Sequence, residues 1–276
     1  MPIVSVLWAM ALLAAAALSL VAAGRVEYAL AHDALATASD DAVAEAVTNR
    51  AVLALLDPRP ASRWRTDGVP QDFSFGDRRV RVAIQDELGR IDLNQADGSL
   101  LLQLLQSVGV GTGAAQSLVD KILDWRDPGP MRRLNGAKSD EYRAAGYSYG
   151  PRNGAFQSVD ELRLVIGMTP EIFAQIEPAL TVYSGHPRFD PRLAPREALR
   201  ALPGMDDAKI DALVSARTLA NAYAGPVGDL IGELRGRAFE IRSELARNDR
   251  TVERDVTIRL SGNPDQPYWV LNRQRR

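Results

Sequence analysis

The run that decides the fold is residues 1–24, MPIVSVLWAMALLAAAALSLVAAG. It contains no Asp, Glu, Lys, Arg or His, and the first charged side chain belongs to Arg25. As an α-helix the run would extend about 36 Å, enough to cross the hydrocarbon core of a bilayer. Backbone groups in hydrocarbon must be paired within the segment, so the run predicts one continuous transmembrane helix. The core helix of a soluble protein is an alternative, although such a helix normally shows a polar face over this length.

A secretory signal peptide is the second alternative for the same run. The small and apolar residues 21–23 suit a cleavage site, but the stretch is long for a signal peptide, and no Lys or Arg precedes it. The only flanking cation, Arg25, follows the run. The positive-inside rule therefore leaves the orientation of the helix open.

Helical periodicity continues beyond Arg25. Apolar residues recur at helical spacing among charged residues until the DPRP sequence of residues 57–60 ends the helix. The prediction is one long helix with a transmembrane half, residues 1–24, and an amphipathic half, residues 25–57. Because the second half has an apolar face in water, that face needs a protein surface to pack against.

Net charge and the lack of cysteine limit what the chain can do. The net charge is −2 and the isoelectric point is about 5.8, so no bulk positive field attracts nucleic acid. The chain has no cysteine, which excludes disulfides and thiolate chemistry. Of the 276 residues, roughly 215 follow the long helix, enough for one large or two small domains with hydrophobic cores.

The remainder of the chain predicts strands before and after a helical block. Alternation of apolar and polar residues predicts short strands at residues 73–75, 79–84, 238–243, 252–260 and 268–271. We therefore predict an α+β fold with the long N-terminal helix packed on an antiparallel sheet. The sheet is expected from residues 58–90 and 223–276, with a large all-α domain, residues 91–222, inserted into it.

Three units, each a helix, a tight glycine turn and a second helix, repeat within the helical block. They resemble the helix-hairpin-helix motif, whose DNA-binding versions seat a phosphate on backbone N–H groups at the turn. Only the first turn, residues 109–113, is rich enough in glycine to admit a phosphate, and Asp206 and Asp207 follow the third turn. Cations near the turns are few: Lys121, Lys209 and Arg217. This favours hairpins that serve as packing units, and a membrane-anchored DNA-binding protein is the alternative function.

A long loop rich in oxygen ligands lies between the first and second units. Calcium is bound by six to eight oxygens, which Asp124, Asp127, Asp140 and Glu141 could supply together with backbone carbonyls. The alternative is ordinary turn and capping chemistry, because Asp, Asn and Gly favour loops in any case. The loop has no regular calcium-binding spacing.

No catalytic constellation is visible in the sequence. The only histidines, His32 and His186, are far apart, and neither a nucleophile elbow nor a phosphate-binding loop occurs. We therefore predict that the protein is not an enzyme.

Short motifs along nearly the whole chain resemble the general secretion pathway protein K (GspK) family, the minor pseudopilins of type II secretion systems. They are VLW at residues 6–8, DELGRIDLN at 86–94, ILDWRD at 122–127, NGA at 135–137, SVDEL at 158–162, GMTP at 167–170, LTVYSG at 180–185 and LPG at 202–204. The resemblance implies a pilin-like fold with the helical domain inserted into the sheet. It also implies a subunit that starts or caps the periplasmic pseudopilus with the I and J minor pseudopilins, and that supports export of folded proteins across the outer membrane.

The resemblance further implies a location and a set of assembly residues. A single span in inner-membrane lipid would leave the bulk of the chain in the periplasm, and a prepilin peptidase would process the chain. Met1 falls about where a processed chain begins, so a leader is expected upstream of it. Ser5, Leu7 and Trp8 are further candidate membrane and assembly residues. Most pilin-like subunits carry at the place of Ser5 a glutamate that pairs with the terminal amine of a neighbour.

Two further expectations concern partners and metal. Val43 and Val47, on the amphipathic half of the helix, are candidate contacts with partner subunits. Relatives are described as binding calcium in the helical domain through a loop like this one, which makes calcium the candidate cofactor. The chain departs from that pattern at Gly129 and Lys138, where acidic residues are expected, and the charge of a lysine opposes a divalent cation.

Overall fold

One uninterrupted helix, α1, spans Pro2–Leu55, as the apolar run and its amphipathic continuation predict. The computed structural model describes residues 2–59, 62–75, 78–219, 234–247 and 250–275. The helix ends just before Asp57, whose side chain accepts a hydrogen bond of 2.9 Å from the Arg59 backbone N–H. Pro58 between them has no N–H to continue the helix, so the predicted stop is confirmed.

The chain comprises two compact units, Met1–Val47 and Thr48–Arg276. Within the first unit, the first part of α1 exposes its large apolar side chains, among them Leu13 and Leu18. One helix of the described residues, Ile3–Leu55, is long and apolar enough to cross a membrane, with a mean hydropathy of 2.3 in its 18-residue window. None of that window is buried within the protein.

The second unit contains the strands and the shorter helices. In chain order the strands are β1 Gln71–Phe75, β2 Arg78–Asp86, β3 Ile91–Asp92, β4 Leu180–Thr181, β5 Ala238–Arg247, β6 Arg250–Asn263 and β7 Gln266–Arg275. The shorter α-helices are α2 Gly98–Ser107, α3 Thr112–Arg126, α4 Ser139–Ala144, α5 Pro170–Ile176, α6 Arg196–Leu199 and α7 Asp207–Leu219. Among the described residues, 3₁₀ helices lie at Glu87–Gly89, Val159–Leu164 and Glu177–Ala179.

Five strands form one antiparallel sheet in the order β1-β2-β5-β6-β7. Strand β2 pairs directly with β5, and Ile84 lies opposite Ile241, although most of the helices lie between them in the sequence. The prediction that strands before and after the helical block share an antiparallel sheet is confirmed. β7 extends beyond the predicted residues 268–271. Its second half, from Asn272, is polar and lacks a clear alternation, so the sequence pattern does not predict that part.

The described residues between β2 and β5 contain all the shorter helices, but they also contain two strands. These two strands pair in parallel, with Ile91 opposite Leu180, and two-residue strands leave no periodic signal in a sequence. A separate all-α domain at residues 91–222 therefore stays a prediction. Its boundary with residues 223–276 lies outside the described residues.

Helices α2 and α3 flank the first glycine turn, and local capping explains where α2 and α5 begin. The Asp97 carboxylate accepts a 2.8 Å hydrogen bond from the Leu100 N–H at the start of α2. The Thr169 hydroxyl likewise accepts one of 3.2 Å from the Ile172 N–H at the start of α5. Both residues satisfy N–H groups that have no partner within a first helical turn.

Apolar packing unites the sheet with the end of α1 in the second unit. Alternate residues of β2, namely Val80, Val82 and Ile84, are fully or almost fully buried, as expected for a sheet with one covered face. Residues 48–55 of α1 contribute buried Ala51 and Leu55. At the end of this helix the Tyr268 hydroxyl donates a 2.7 Å hydrogen bond to the Asn49 amide oxygen.

Val82→Ala is expected to lower the free energy of unfolding by about 2–3 kcal/mol, because it removes buried methyl groups and leaves a cavity. The matched control is Val270→Ala in β7, where the valine is 39% exposed and the expected loss is below about 1 kcal/mol. Denaturant unfolding of the full chain in detergent micelles, followed by circular dichroism, measures both. Equal losses would show that the covered face of the sheet is assigned wrongly.

Candidate functional site

The candidate metal ligands lie around the α3–α4 loop, residues 127–138. Asp124 is on the last turn of α3, Asp127 follows the helix, and Asp140 and Glu141 are in the first turn of α4. Asp124 is completely buried. The sequence therefore identified a region with a buried carboxylate, and the partners of each carboxylate decide its chemistry.

Asp124 is paired within the loop. Its carboxylate lies 2.7 Å from an Arg133 guanidinium nitrogen and also accepts the Arg133 backbone N–H at 3.1 Å. Gly136 packs against the same carboxylate, and a Cβ at this position would lie only 1.9 Å from Asp124 Oδ2. Residue 136 must therefore be glycine for Asp124 to keep this place.

Asp127 turns the chain out of α3. Its Oδ1 accepts a 2.9 Å hydrogen bond from the Gly129 N–H, and its Oδ2 lies 3.3 Å from the Arg133 guanidinium. The Gly129 N–H is the main reason that the pKa of Asp127 is below its usual value. Gly129 is thus part of a turn held by a charged carboxylate.

Asp140 and Glu141 are used for local contacts of α4. The Asp140 carboxylate pairs with Arg143 at 2.9 Å on the exposed surface. Glu141 Oε2 accepts the Lys138 backbone N–H at 2.9 Å, which caps the helix, and its Oε1 lies 2.9 Å from Arg132 Nε. Capping chemistry, the alternative considered for this loop, accounts for Glu141.

Lys138 occupies the centre of the site. Its ammonium donates to the backbone oxygens of Asp124 at 2.8 Å and Asp127 at 2.7 Å, and to Asn153 Oδ1 at 3.1 Å. The sequence identified Lys138 as a departure but gave no sign of Asn153, which arrives from beyond α4. Asn153 has a backbone φ of 53°, a left-handed conformation that asparagine adopts more readily than most residues.

The loop as arranged does not fit calcium. Calcium takes six to eight oxygens at about 2.3–2.6 Å, whereas here an ammonium binds the converging carbonyls and a guanidinium binds the buried carboxylate. Among the described residues, no three or more His, Cys, Asp or Glu side chains come together closely enough to hold a metal ion. Calcium binding stays a prediction that this geometry does not favour.

The candidate assembly residues lie on α1. Leu7 and Trp8 expose 60% and 68% of their surface, and Ser5 is near them in the same helix, while Met1 lies outside the described residues. Val43 and Val47 expose only 9% and 0%. Partner contact through these two valines stays a prediction, and the exposed Leu35 nearby offers more side-chain surface.

The cations of the third hairpin are engaged within the chain. The Lys209 ammonium donates to the Gly204 backbone oxygen at 2.6 Å and lies 3.3 Å from the Asp206 carboxylate. Buried Arg217 donates to the Ala194 backbone oxygen at 2.8 Å. These cations are directed to protein oxygens, so the geometry does not favour phosphate binding at this turn.

A buried group of charged side chains lies at the end of β2. The sequence did not predict this group. Arg90 lies 3.2 Å from the Glu87 carboxylate and 2.6 Å from the Glu240 carboxylate of β5, beside a cavity of about 750 Å³. Burial raises the pKa of Glu87 to about 7, and repulsion from Glu240 adds to this, whereas Arg90 opposes it. In the sequence, the only hint of this group is the DELGR motif of residues 86–90, which contains Glu87 and Arg90.

Comparison with known proteins identifies what this structure is similar to. Residues 84–185 match the protein-family model described as type II secretion system (T2SS), protein K. The type II secretion system protein K of Klebsiella pneumoniae is 27% identical over 131 residues, which cover 43% of this chain and 40% of that protein. The alignment thus spans about two fifths of that relative's length.

The fold has a counterpart among solved structures. A chain of the GspK-GspI-GspJ complex from the type 2 secretion system of enterotoxigenic Escherichia coli superposes with a TM-score of 0.60 at 14% identity. The match covers 91% of this chain and 99% of the other. The resemblance inferred from the sequence motifs is confirmed, and the mixed α+β fold, with its long helix and antiparallel sheet, is similar to GspK.

Glu87→Gln is expected to flatten the pH dependence of stability. An acid whose pKa is raised by folding binds its proton more tightly in the folded state, so stability falls as pH rises from about 4.5 to about 7. The wild type should lose up to about 3 kcal/mol more than the variant over this range. Denaturant unfolding at several pH values measures the difference, and parallel profiles for the two proteins would refute the assignment.

Proposed function

We propose that this chain, whose resemblance to type II secretion system protein K is confirmed, is a non-catalytic minor pseudopilin at the tip of the periplasmic pseudopilus. In this role it helps to start pseudopilus assembly with the I and J minor pseudopilins and supports export of folded proteins across the outer membrane. The observation that carries the proposal is the fold that it shares, over 91% of its length, with a chain of the GspK-GspI-GspJ complex.

An inner-membrane anchor is supported by the first part of α1. Its window of mean hydropathy 2.3 exposes apolar side chains on all sides, as a helix surrounded by lipid requires. The first charge, Arg25, follows this window, and polar residues become frequent beyond it. We propose a single span processed by a prepilin peptidase, with the second unit in the periplasm.

A place at the tip is supported by Ser5. A carboxylate in lipid is costly unless it is paired, and in a pilin-like filament the neighbouring subunit supplies the terminal amine that pairs it. Serine makes no such demand, so this chain can reside in the membrane or in a filament with no neighbour to neutralise it. A subunit that starts assembly must be stable before any neighbour is present, and serine at this position allows that.

Assembly with partner subunits is supported by apolar surface outside the membrane window. Tyr28, Leu30 and Leu35 on α1 expose 65–75% of their surface. In the sheet, the edge strand β7 exposes Trp269 and Val270 and has one side free of a neighbouring strand among the described residues. Exposed apolar residues on a helix and along a sheet edge are suited to protein contacts.

Leu13→Asp is expected to release the protein from the membrane. An aspartate near the centre of a transmembrane helix costs about 3 kcal/mol for insertion. The matched control is Leu35→Asp, where the leucine is equally exposed but lies beyond the apolar window. Carbonate washing of membranes after expression of each full chain, followed by immunoblotting, measures retention. Equal retention of both variants would contradict the anchor.

Co-expression with the I and J minor pseudopilins of the same organism is expected to yield one complex that survives purification in detergent. An unrelated single-span membrane protein carrying the same tag is the control for association through the micelle. Size-exclusion chromatography with light scattering measures the stoichiometry, which should be one copy of each subunit. If this chain elutes alone while I and J are both folded, the proposed function fails.

A further inference from the structure

Three oxygens from separate parts of the chain converge on the Lys138 ammonium. Two are backbone oxygens at the end of α3, those of Asp124 and Asp127, and the third is the side-chain oxygen of Asn153. An ammonium has three N–H donors and no acceptor. At distances of 2.7–3.1 Å, each donor of Lys138 therefore has one partner, and the group is saturated.

The position at the end of α3 favours a cation. The last carbonyls of an α-helix have no partner within the helix and carry the negative end of its dipole. The Lys138 ammonium satisfies the Asp124 carbonyl in the last turn and the Asp127 carbonyl just beyond it. The lysine thus caps α3 with a charge of the sign that its dipole attracts.

Asn153 is held independently of the lysine. Arg152 beside it forms a two-fold ion pair with Glu161, at 2.6 and 2.8 Å, and Glu161 also accepts a 3.2 Å hydrogen bond from the buried Trp125 indole. Gly154 on its other side donates to the Trp125 backbone oxygen at 3.4 Å. Lys138 therefore ties the start of α4 to two fixed points, the end of α3 and the segment around Asn153.

The charges of the loop are balanced without an added ion. Arg133 lies between the Asp124 and Asp127 carboxylates and contacts both. A fully buried carboxylate such as that of Asp124 needs a cation and hydrogen bonds, and Arg133 supplies both. With Lys138 as the second cation, two positive groups accompany the Asp124 and Asp127 carboxylates, and Arg132 pairs separately with Glu141.

The residue type at position 138 is informative in this chain. Of its 33 basic residues only three are lysines, Lys121, Lys138 and Lys209, and the other thirty are arginines. A compact ammonium can point its donors at three oxygens around one centre, whereas the planar guanidinium fork cannot. The site needs the chemistry of lysine, and a positive charge alone is insufficient.

We propose that Lys138 is the built-in cation of the α3–α4 loop, and that its ammonium performs the structural task that the family resemblance assigns to calcium. The loop consequently folds and stays ordered without a divalent ion. This inference is independent of the proposed role in the pseudopilus, because it concerns only contacts within the chain.

Hydrogen exchange of the full chain in detergent micelles, read by mass spectrometry, tests the proposal. In the wild type, peptides covering residues 127–138 should exchange identically in calcium chloride and in a chelator. Lys138→Met, which keeps the length of the side chain and removes the charge, should raise exchange there about tenfold or more, because three hydrogen bonds to a charged group are lost. Lys121→Met is the matched control and should leave these peptides unchanged.

Two further readouts keep the test decisive. Peptides from α2 and β5 report global unfolding, and the proposal requires them to stay protected in Lys138→Met. Lys138→Arg keeps the charge and should still loosen the loop, because a guanidinium does not fit the three oxygens. Slower exchange of the wild-type loop on adding calcium would overturn the proposal. Exchange of the loop in Lys138→Met no faster than in Lys121→Met would do the same.

Discussion

The pairing of β2 with β5 is the constraint on which the second unit depends. The chain leaves the sheet at Asp86 and returns to it at Ala238, and these strands must meet in register across the whole helical region. Ion pairs lie at both junctions between the sheet and the helical region. Arg237 contacts the Asp86 carboxylate where the chain returns, and Arg90 contacts Glu240 where it leaves. Because the Asp86 carboxylate is fully buried, loss of Arg237 would leave that charge without its ion-pair partner, which is far costlier than the pair itself is stabilising, whereas Glu240 also lies 3.3 Å from Arg242.

Between these two junctions, the helices share one apolar core, and that core sets the geometry of the α3–α4 loop. The Trp125 ring on α3 stacks with the Phe156 ring, with 6.1 Å between the ring centroids. The centroid of the Tyr142 ring on α4 lies 5.9 Å from that of Trp125. The aromatic cluster thereby holds the end of α3 against α4 and against the chain that follows it. The three oxygens around Lys138 come from these same segments, so apolar packing creates the polar site and the lysine completes it.

The features that the sequence could predict are those written in a local pattern. The uncharged run and its periodic continuation predict α1, and alternation predicts β2 and β5, because each repeats one preference over many residues. By contrast, the pair of Ile91 with Leu180 is too short to repeat, and the contact of Lys138 with Asn153 exists only in the folded chain. The four acidic residues around the α3–α4 loop stand out in the sequence, yet their composition alone does not distinguish a metal site from caps and ion pairs. That distinction depends on which cation the fold brings to each carboxylate.

Ser5 and Lys138 solve the same electrostatic problem in different surroundings. A glutamate in place of Ser5 would need the amine of a neighbouring subunit, and acidic residues alone in the α3–α4 loop would need a metal ion. Serine removes the first requirement, and lysine meets the second from within the chain through its contacts with Asp124 and Asp127. On the proposed function, a subunit that starts a filament must be folded and inserted before its neighbours arrive. The absence of a charge at Ser5 and the internal cation at Lys138 make its folded state independent of what it has yet to bind.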